Sequence, residues 1–199
     1  MPRAKQRTPA LREKVLRAAV TMLAQDGVAG FTTRRVAQDA ATSVPAVYEL
    51  FGDKAGLVRA IFFEGFRELG RRLDTCPETD DPRADLIRVA ELVRRFVRDN
   101  PVLAELMFSR PFADFDPAPH ELPTTGSVRE FFVGRVRRAI EAGLIAGDPT
   151  DIAHVLLALA QGLAAQETAG WLGRSAASVD RRWALAFHTV LSGLSPVQA

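Results

Sequence analysis

Residues 32 to 54 contain two short helical patterns separated by a gap of only three residues, Ala41-Thr42-Ser43. In the first pattern, Val36, Ala37 and Ala40 lie on one side of a helix, and polar side chains occupy the other side. A gap of this size has the length of a tight turn. The segment therefore predicts two short helices joined at a steep angle, the arrangement called a helix-turn-helix.

The second helical pattern begins with residues that favour a helix start. Ser43 is a good N-cap, and Pro45 falls in the first turn, where its missing N–H is not needed. Val47, Leu50 and Phe51 then form an apolar face. A helix this short covers little core, but it can enter a DNA major groove, about 12 Å wide, with its N-terminal residues first. An ordinary packed helical hairpin is the alternative interpretation.

The charge distribution favours a nucleic-acid partner for this segment. The net charge of the whole chain is only +2, but residues 1–73 contain 13 Lys and Arg against 7 Asp and Glu, whereas residues 74–199 contain 13 against 17. The basic charge thus lies with the two short helices. Arg3, Lys5 and Arg7 precede the first predicted helix, where they form either a DNA-contacting arm or a disordered terminus.

The segment resembles the N-terminal DNA-binding domain of TetR-family transcriptional regulators over about residues 8 to 60. The resemblance rests on TTRxxA, a gap, PxxY and a lysine six residues after the tyrosine. It implies that the two threonines, Tyr48 and Lys54 contact phosphates and that Arg34 reaches a base. The start of the second helix would face the bases. The predicted DNA-binding residues are Thr32, Thr33, Arg34, Ser43, Val44, Pro45, Ala46, Tyr48 and Lys54.

Three positions depart from the family pattern. Ala41 stands where the family usually has glycine, so we expect a different turn or a modest strain cost. Val44 replaces a polar residue and can contact a thymine methyl group, but it cannot donate to guanine. Arg34 is therefore the main candidate for a bidentate guanine contact. Glu49 is assigned no base, because phosphates repel a carboxylate.

The rest of the chain also has helical periodicity, with no competing strand pattern. We predict an all-α fold in which an N-terminal three-helix DNA-binding helix-turn-helix domain, residues 1–52, is followed by a larger helical effector-binding and dimerisation domain, residues 53–199. One helix is predicted before the two helices of the motif, from Pro9 to Asp26. The helices predicted after the motif run from Lys54 to about Leu73, from Leu86 to Asn100, from Val102 to Phe108, from Ser127 to Ala142, from Pro149 to Ala169 and from about Val179 to Leu194.

Aromatic and flexible side chains are concentrated in the helices that enclose an effector cavity in this family. The predicted ligand-binding residues are Phe62, Phe66, Phe96, Met107, Phe108, Phe131, His154 and Gln161. Each aromatic ring alone is better explained as part of the core than as part of a ligand site. His154 and Gln161 share one face of an apolar helix at i and i+7. A buried imidazole or amide there needs a partner, which either an effector or a second subunit would supply.

Residues 152 to 165, IAHVLLALAQGLAA, are apolar nearly all around, which predicts burial on more than one side. A central position in a monomer would provide this burial. The family instead packs its last two long helices against their mates, so we expect a homodimer whose symmetry also supplies a second half-site. The same segment loosely resembles the Trp-and-His-Gly signature of one TetR subgroup, with Leu157 and Gln161 in place of tryptophan and histidine.

The resemblance implies a repressor that leaves a palindromic operator when a small apolar or amphipathic effector binds. The expected partners are double-stranded DNA, the effector and a second copy of the chain. One alternative is a small helical enzyme that uses a histidine, but His120, His154 and His188 are widely separated and none adjoins a serine or cysteine elbow. We therefore expect no enzymatic activity. A third interpretation keeps the DNA binding and gives the C-terminal helices a solid core that serves dimerisation only.

Other features of the sequence narrow the expected setting. Cys76 is the only cysteine, so an intramolecular disulfide is excluded, and no CxxC or HExxH spacing suggests a metal site. We expect no metal and no cofactor. The most apolar run, residues 155–160, is too short to cross a bilayer, and the N-terminus has no apolar stretch of the kind found in signal peptides. A cytoplasmic location without membrane contact is expected.

Overall fold

The computed structural model describes residues 8–109, 115–119 and 121–196. The basic arm with Arg3, Lys5 and Arg7, and also His120, lie outside these residues. The described part is all-α, as expected, and no helix in it is long and apolar enough to span a membrane. Its helices are α1 (Pro9–Gly30), α2 (Thr33–Asp39), α3 (Val44–Phe51), α4 (Lys54–Asp74), α5 (Pro82–Asp99), α6 (Pro101–Phe108), α7 (Leu122–Glu141), α8 (Pro149–Thr168) and α9 (Ala176–Gly193).

The chain forms two compact units. The first comprises Met1–Phe66 and Asn100–Pro117, and the second comprises Arg67–Asp99 and Ala118–Ala199. Each unit is a group of residues that pack mainly against one another. The functional division into residues 1–52 and 53–199 stays a prediction.

The first unit has a small core around α1, α2 and α3. Val15, Val36 and Val47, one from each helix, are completely buried. Phe31, between α1 and α2, is also buried. α1 is interrupted at Gly27, whose φ of 65° lies in the left-handed region that glycine tolerates. The regular part of α1 therefore ends where the sequence predicted, and a short helical piece continues to Gly30.

The second unit packs α5, α7, α8 and α9 together around Val93, Phe96, Val136 and Leu191, which are almost completely inaccessible to solvent. The start of α7 differs from the expected one. The helix begins at Leu122 rather than at Ser127, because Pro123 falls in its first turn, where proline is tolerated, and does not break it.

Within a single chain, α8 is buried on one side only. One side of the helix is buried, through Ile152, Ala153, Leu156, Ala160 and Ala164. The opposite side is open, and Val155 there is 51% exposed. A central position of α8 in a monomer is therefore excluded, and an apolar surface on this helix remains accessible.

Candidate functional site

The turn between α2 and α3 is a Schellman motif. The N–H of Thr42 donates to the carbonyl of Ala37 at 2.8 Å, and the N–H of Ala41 donates to the carbonyl of Gln38 at 2.9 Å. Ala41 has a φ of 49° and is the one non-glycine residue with positive φ among the described residues. The expected strain is therefore present, because the chain adopts the family's left-handed turn without its glycine.

Side-chain caps begin both helices of the motif. The Thr32 hydroxyl accepts from the N–H of Arg35 at 3.3 Å, and the Ser43 hydroxyl accepts from the N–H of Ala46 at 3.4 Å. Each cap satisfies one of the donors that the first turn of a helix leaves free. The remaining N–H groups at the two helix starts carry partial positive charge, which favours a phosphate beside them.

Helix α3 is anchored on one face and open on the other. Val47 is fully buried, whereas Tyr48, the next residue, is 42% exposed. At the leading end, Pro45 is exposed, and Val44 and Ala46 are half-buried. The residues predicted to face DNA bases therefore share the accessible end of a helix whose other side is fixed in the core.

Two adjacent arginines at the start of α2 differ in their surroundings. Arg35 donates to the Asp26 carboxylate at 2.6 Å and to the Gly30 carbonyl at 3.2 Å. Arg34 is exposed, and none of the described residues forms a hydrogen bond or ion pair with its side chain. Arg35 thus links α2 to the end of α1, whereas the guanidinium of Arg34 is accessible to a binding partner.

The other predicted phosphate contacts have mixed accessibility. Lys54 is exposed at the start of α4, and its ammonium lies 5.9 Å from the centre of the Phe31 ring. Asp53 caps the same helix by accepting from the N–H of Gly56 at 2.7 Å. Thr33 is buried, so its side chain offers little surface and the backbone N–H is the group it presents. Nothing in the sequence pattern indicated this burial.

Half of the predicted ligand-binding residues lie in the first unit. Phe62 packs against Phe66 and Phe115, with ring centres 5.0 and 4.6 Å apart. Met107 is buried next to Gly65, where any Cβ would clash with its sulfur, and Phe108 is half-buried. Phe62 and Met107 are therefore core side chains, and Phe66 packs against Phe62 at the edge of this core.

The other half lie in the second unit. Phe96 is completely buried beneath the Arg72 guanidinium, 5.4 Å from the ring centre. Phe131 is half-buried under Arg135, at 4.8 Å. His154 is exposed in the single chain, and its Nδ1 lies 2.8 Å from the Thr150 carbonyl oxygen of its own helix. Gln161 is half-buried.

The core of the second unit is filled. Between α5, α7, α8 and α9, the space lined by Phe132, Leu156, Leu157 and Phe187 has a volume of about 20 Å³. This is about the space that a single water molecule needs. The space that these residues line is therefore too small for an effector.

An open groove that the sequence did not predict runs between α5 and α9. Its volume is about 800 Å³, and its lining includes Arg83, Ile87, Arg94, Arg95, Arg98 and Trp183. The signal in the sequence was present but weak. Arg83, Ile87, Arg94 and Arg98 share one face of α5, a pattern that usually marks an exposed helix surface.

A network of hydrogen bonds fixes the floor of the groove. Arg94 donates through Nε and Nη2 to the Glu167 carboxylate, at 2.6 and 2.9 Å, and through Nη1 to Asp180 at 2.8 Å. These acceptors raise the pKa of Arg94, with Glu167 contributing most. The Trp183 indole N–H donates to Glu167 at 2.8 Å, and its ring stacks parallel to that of Phe187.

Metal binding has no support from side-chain positions. In the part of the chain that the structure describes, no three or more histidine, cysteine, aspartate or glutamate side chains are grouped as a metal ion would require. His188 lines the α5–α9 groove, and His154 contacts its own helix.

Comparison with solved structures identifies the fold. A protein of unknown function from Rhodococcus sp. RHA1 is 28% identical, with 98% of this chain and 100% of that chain covered and a TM-score of 0.80. A putative TetR-family transcriptional regulator from Rhodococcus sp. is 21% identical, with coverage of 94% and 100% and a TM-score of 0.66. A TetR variant from Acinetobacter baumannii AYE, in complex with minocycline, is 19% identical, with coverage of 90% and 93% and a TM-score of 0.63.

Family models match both parts of the sequence, although no curated protein matches it. Residues 15–61 match the model of bacterial regulatory proteins of the tetR family, and residues 86–190 match the tetracyclin repressor-like C-terminal domain. The second match alone spans more than half of the chain. Together with the helix-turn-helix geometry, these matches show that the chain belongs to the TetR family of transcriptional regulators.

Proposed function

We propose that this protein is a dimeric repressor that binds a short palindromic operator through α2 and α3. The observation that carries the proposal is the exposed guanidinium of Arg34, which has no hydrogen-bond or ion-pair partner among the described residues, beside a recognition helix that presents Pro45 and Tyr48 outward. A bidentate contact from Arg34 to guanine would provide direct readout. Thr32, Thr33, Tyr48 and Lys54 would position the helix through phosphates, which sets its register but carries no sequence information.

Release from the operator would follow from linked equilibria. A small apolar or amphipathic effector that binds one conformer better than another shifts the population toward it. A coupling of about 1 to 3 kcal/mol lowers operator affinity by roughly 5- to 150-fold. The complex of a TetR variant with minocycline supports a small-molecule effector for a relative of this fold. α4, a single helix of 21 residues that starts beside the motif, would carry the change.

A second candidate function is DNA binding without an effector. The filled core between α5, α7, α8 and α9 favours it, because a ligand cannot enter there without moving side chains. In that case the second unit would serve dimerisation alone. The two candidates differ in whether any small molecule changes operator affinity.

The DNA-binding assignment is tested on genomic fragments that the purified protein selects. With the tightest fragment, Arg34→Ala should weaken binding tenfold or more, because one bidentate base contact contributes about 1 to 3 kcal/mol. Tyr48→Phe removes one phosphate contact and should weaken binding several-fold on every sequence. Fluorescence anisotropy at several salt concentrations measures both effects.

Arg17→Ala is the matched control for the loss of one positive charge. Arg17 is exposed on α1, and its guanidinium pairs with Glu13 at 3.1 Å, far from the motif in sequence. This variant should keep nearly full affinity. Unchanged affinity after both Arg34→Ala and Tyr48→Phe would show that the residue assignment is wrong.

A further inference from the structure

The groove between α5 and α9 contains an excess of positive charge. Four arginines line it, against the carboxylates of Glu91 and Asp180. Asp180 is already engaged by Arg94. Among the described residues, no carboxylate forms an ion pair with Arg83, Arg95 or Arg98, and Arg83 has only a long contact of 3.4 Å to the Ser192 hydroxyl.

The unpaired arginines are placed at both ends of the groove. Arg95 and Arg98 are one turn apart on α5, about 4.5 Å along the helix axis, so both guanidinium groups can reach one anionic head group. Arg83 lies a further 18 Å or so from Arg95 along the same helix. An elongated molecule bound at Arg95 and Arg98 would therefore run past the middle of α5.

The middle of the groove has an apolar stretch beside the exposed carboxylate of Glu91, and a hydrogen bond holds part of its floor. Ile87 is 38% exposed there, although large apolar side chains are usually covered. Ala90, Ala184 and Phe187 line the same stretch. Trp183 forms part of the floor and is held in place by its hydrogen bond to Glu167. A preformed floor reduces the entropic cost of binding.

We propose that this groove binds a small molecule with a carboxylate or phosphate head group and an elongated apolar body. The head group lies between Arg95 and Arg98, and the apolar body covers Ile87 and Ala184. The volume of about 800 Å³ falls within the roughly 300 to 1,000 Å³ of ligand-binding clefts. The site is on the outer side of α5 and α9 and is separate from the filled interior of the second unit.

Calorimetric titration of the full chain tests the proposal. Decanoate and decyl phosphate, kept below their micelle concentrations, provide the two head groups, and decanol and decyltrimethylammonium provide the same body without an anion. We expect saturable binding of one anion per chain, at least tenfold tighter than decanol or the cation. The comparison of the two anions decides between carboxylate and phosphate. The proposal is overturned if neither anion binds or if decanol binds equally well.

Variants locate the site. Arg95→Gln with Arg98→Gln should weaken anion binding at least tenfold, whereas Arg129→Gln with Arg137→Gln, which removes two exposed arginines of α7, should change it less than twofold. Ala184→Trp fills the groove and should abolish binding with the arginines intact. Equal effects of the two arginine pairs would show that binding reflects overall charge, and the proposed site would be wrong.

Fluorescence provides an independent readout. The chain has two tryptophans, so Trp171→Phe leaves Trp183 as the sole emitter, and Trp171 is 79% exposed and can be replaced without loss of packing. Saturation with the bound anion should shift the emission of Trp183. Bound anion without any shift would place it elsewhere. None of these measurements contains DNA, so failure here is distinguishable from failure of operator binding.

Discussion

Ala41 is the residue at which local geometry and residue type conflict. Its φ of 49° crowds the Cβ against the following carbonyl, which costs an L-residue about 1 to 2 kcal/mol. The Schellman hydrogen bonds of Thr42 and Ala41 hold the turn in this conformation despite the cost. The angle between α2 and α3 is therefore maintained at the expense of some stability.

Replacing Ala41 with glycine should stabilise the protein. The left-handed strain of about 1 to 2 kcal/mol is removed. Because glycine is more flexible in the unfolded chain, this gain in stability is reduced by about 0.5 to 1 kcal/mol, so we expect a net stabilisation of about 0.5 to 1 kcal/mol. Urea unfolding measures it. Ala24→Gly, at an exposed helical position of α1, is the control and should destabilise by a similar amount. A loss of stability in Ala41→Gly would contradict the strain argument.

At this scale the sequence predicted features that depend on near neighbours. The cap at Ser43 and the strained turn could be predicted because each involves residues three to five positions apart. The difference between Arg34 and Arg35 could not. Arg35 pairs with Asp26, nine positions earlier and beyond the kink at Gly27, and only the folded chain brings them together.

Among the helices of the second unit, α5 and α7 are joined by a buried carboxylate. Asp85, in the first turns of α5, accepts from the Thr79 N–H at 2.9 Å and from the Thr79 hydroxyl at 2.8 Å. It also accepts from Arg88 and, at 2.9 Å, from Arg138 of α7. Burial alone would raise the pKa of Asp85, but the hydrogen bonds from Thr79, Arg88 and Arg138 outweigh it and hold the pKa far below its usual range.

Asp85→Asn should destabilise the second unit strongly. The amide cannot replace the second oxygen as an acceptor, and the arginines would face no full negative charge, so a loss of about 3 to 5 kcal/mol is expected. Asp81→Asn is the control. Asp81 caps the start of α5 by accepting from the Ala84 N–H at 2.9 Å, a role that asparagine fills equally well. Equal stability of the two variants in urea would contradict a structural role for Asp85.

The same carboxylate should make stability depend on pH. Because its pKa is lowered in the folded state, its contribution is complete above the unfolded value of about 3.9 and is lost as pH falls below it. The free energy of unfolding of the native protein should therefore decrease between about pH 5 and pH 2. In Asp85→Asn this part of the decrease should be absent, whereas Asp81→Asn should retain it. Urea titrations at several pH values measure the slope.

Helix boundaries could be predicted where proline or a capping residue marks them. α6 and α8 each begin with a proline, close to the expected start, whereas α5 begins at Pro82 instead of the expected Leu86. The same rule misled at α7, because Pro123 in a proline-containing stretch resembled a loop. Asp85 could not be recognised from sequence. An aspartate near a helix start is common, and its partner Arg138 lies 53 positions away.

At the scale of the whole molecule, the sequence placed effector-binding residues in a cavity, whereas the second unit has a filled core and an outer groove. Phe96 illustrates the reason. Aromatic residues at helical spacing are compatible with either a core or a cavity wall, and packing density decides between them. The groove depends on which faces of α5 and α9 meet, and a pattern within one helix does not contain that information.

Apolar surface on the last two helices favours a dimer. Val155 of α8 is 51% exposed and Leu185 of α9 is 64% exposed. Large exposed apolar side chains on both helices are expected where a second copy covers them. A single recognition helix contacts few bases, and two-fold symmetry would place the second one about 34 to 36 Å away, one turn of DNA farther along.

Charged substitutions on these helices should separate the subunits. Val155→Glu with Leu185→Glu would bury two carboxylates of each chain in the interface. The mass in solution should therefore fall from that of two chains to that of one chain of 21.7 kDa. Leu122→Glu, at an apolar residue of α7 that is 52% exposed, is the control and should remain dimeric. Sedimentation equilibrium measures the mass. Fluorescence anisotropy should show a large loss of operator affinity for the double variant, because a monomer binds only one half-site. A native protein that sediments as a monomer, or a double variant that stays dimeric, would mean that this surface is not the interface.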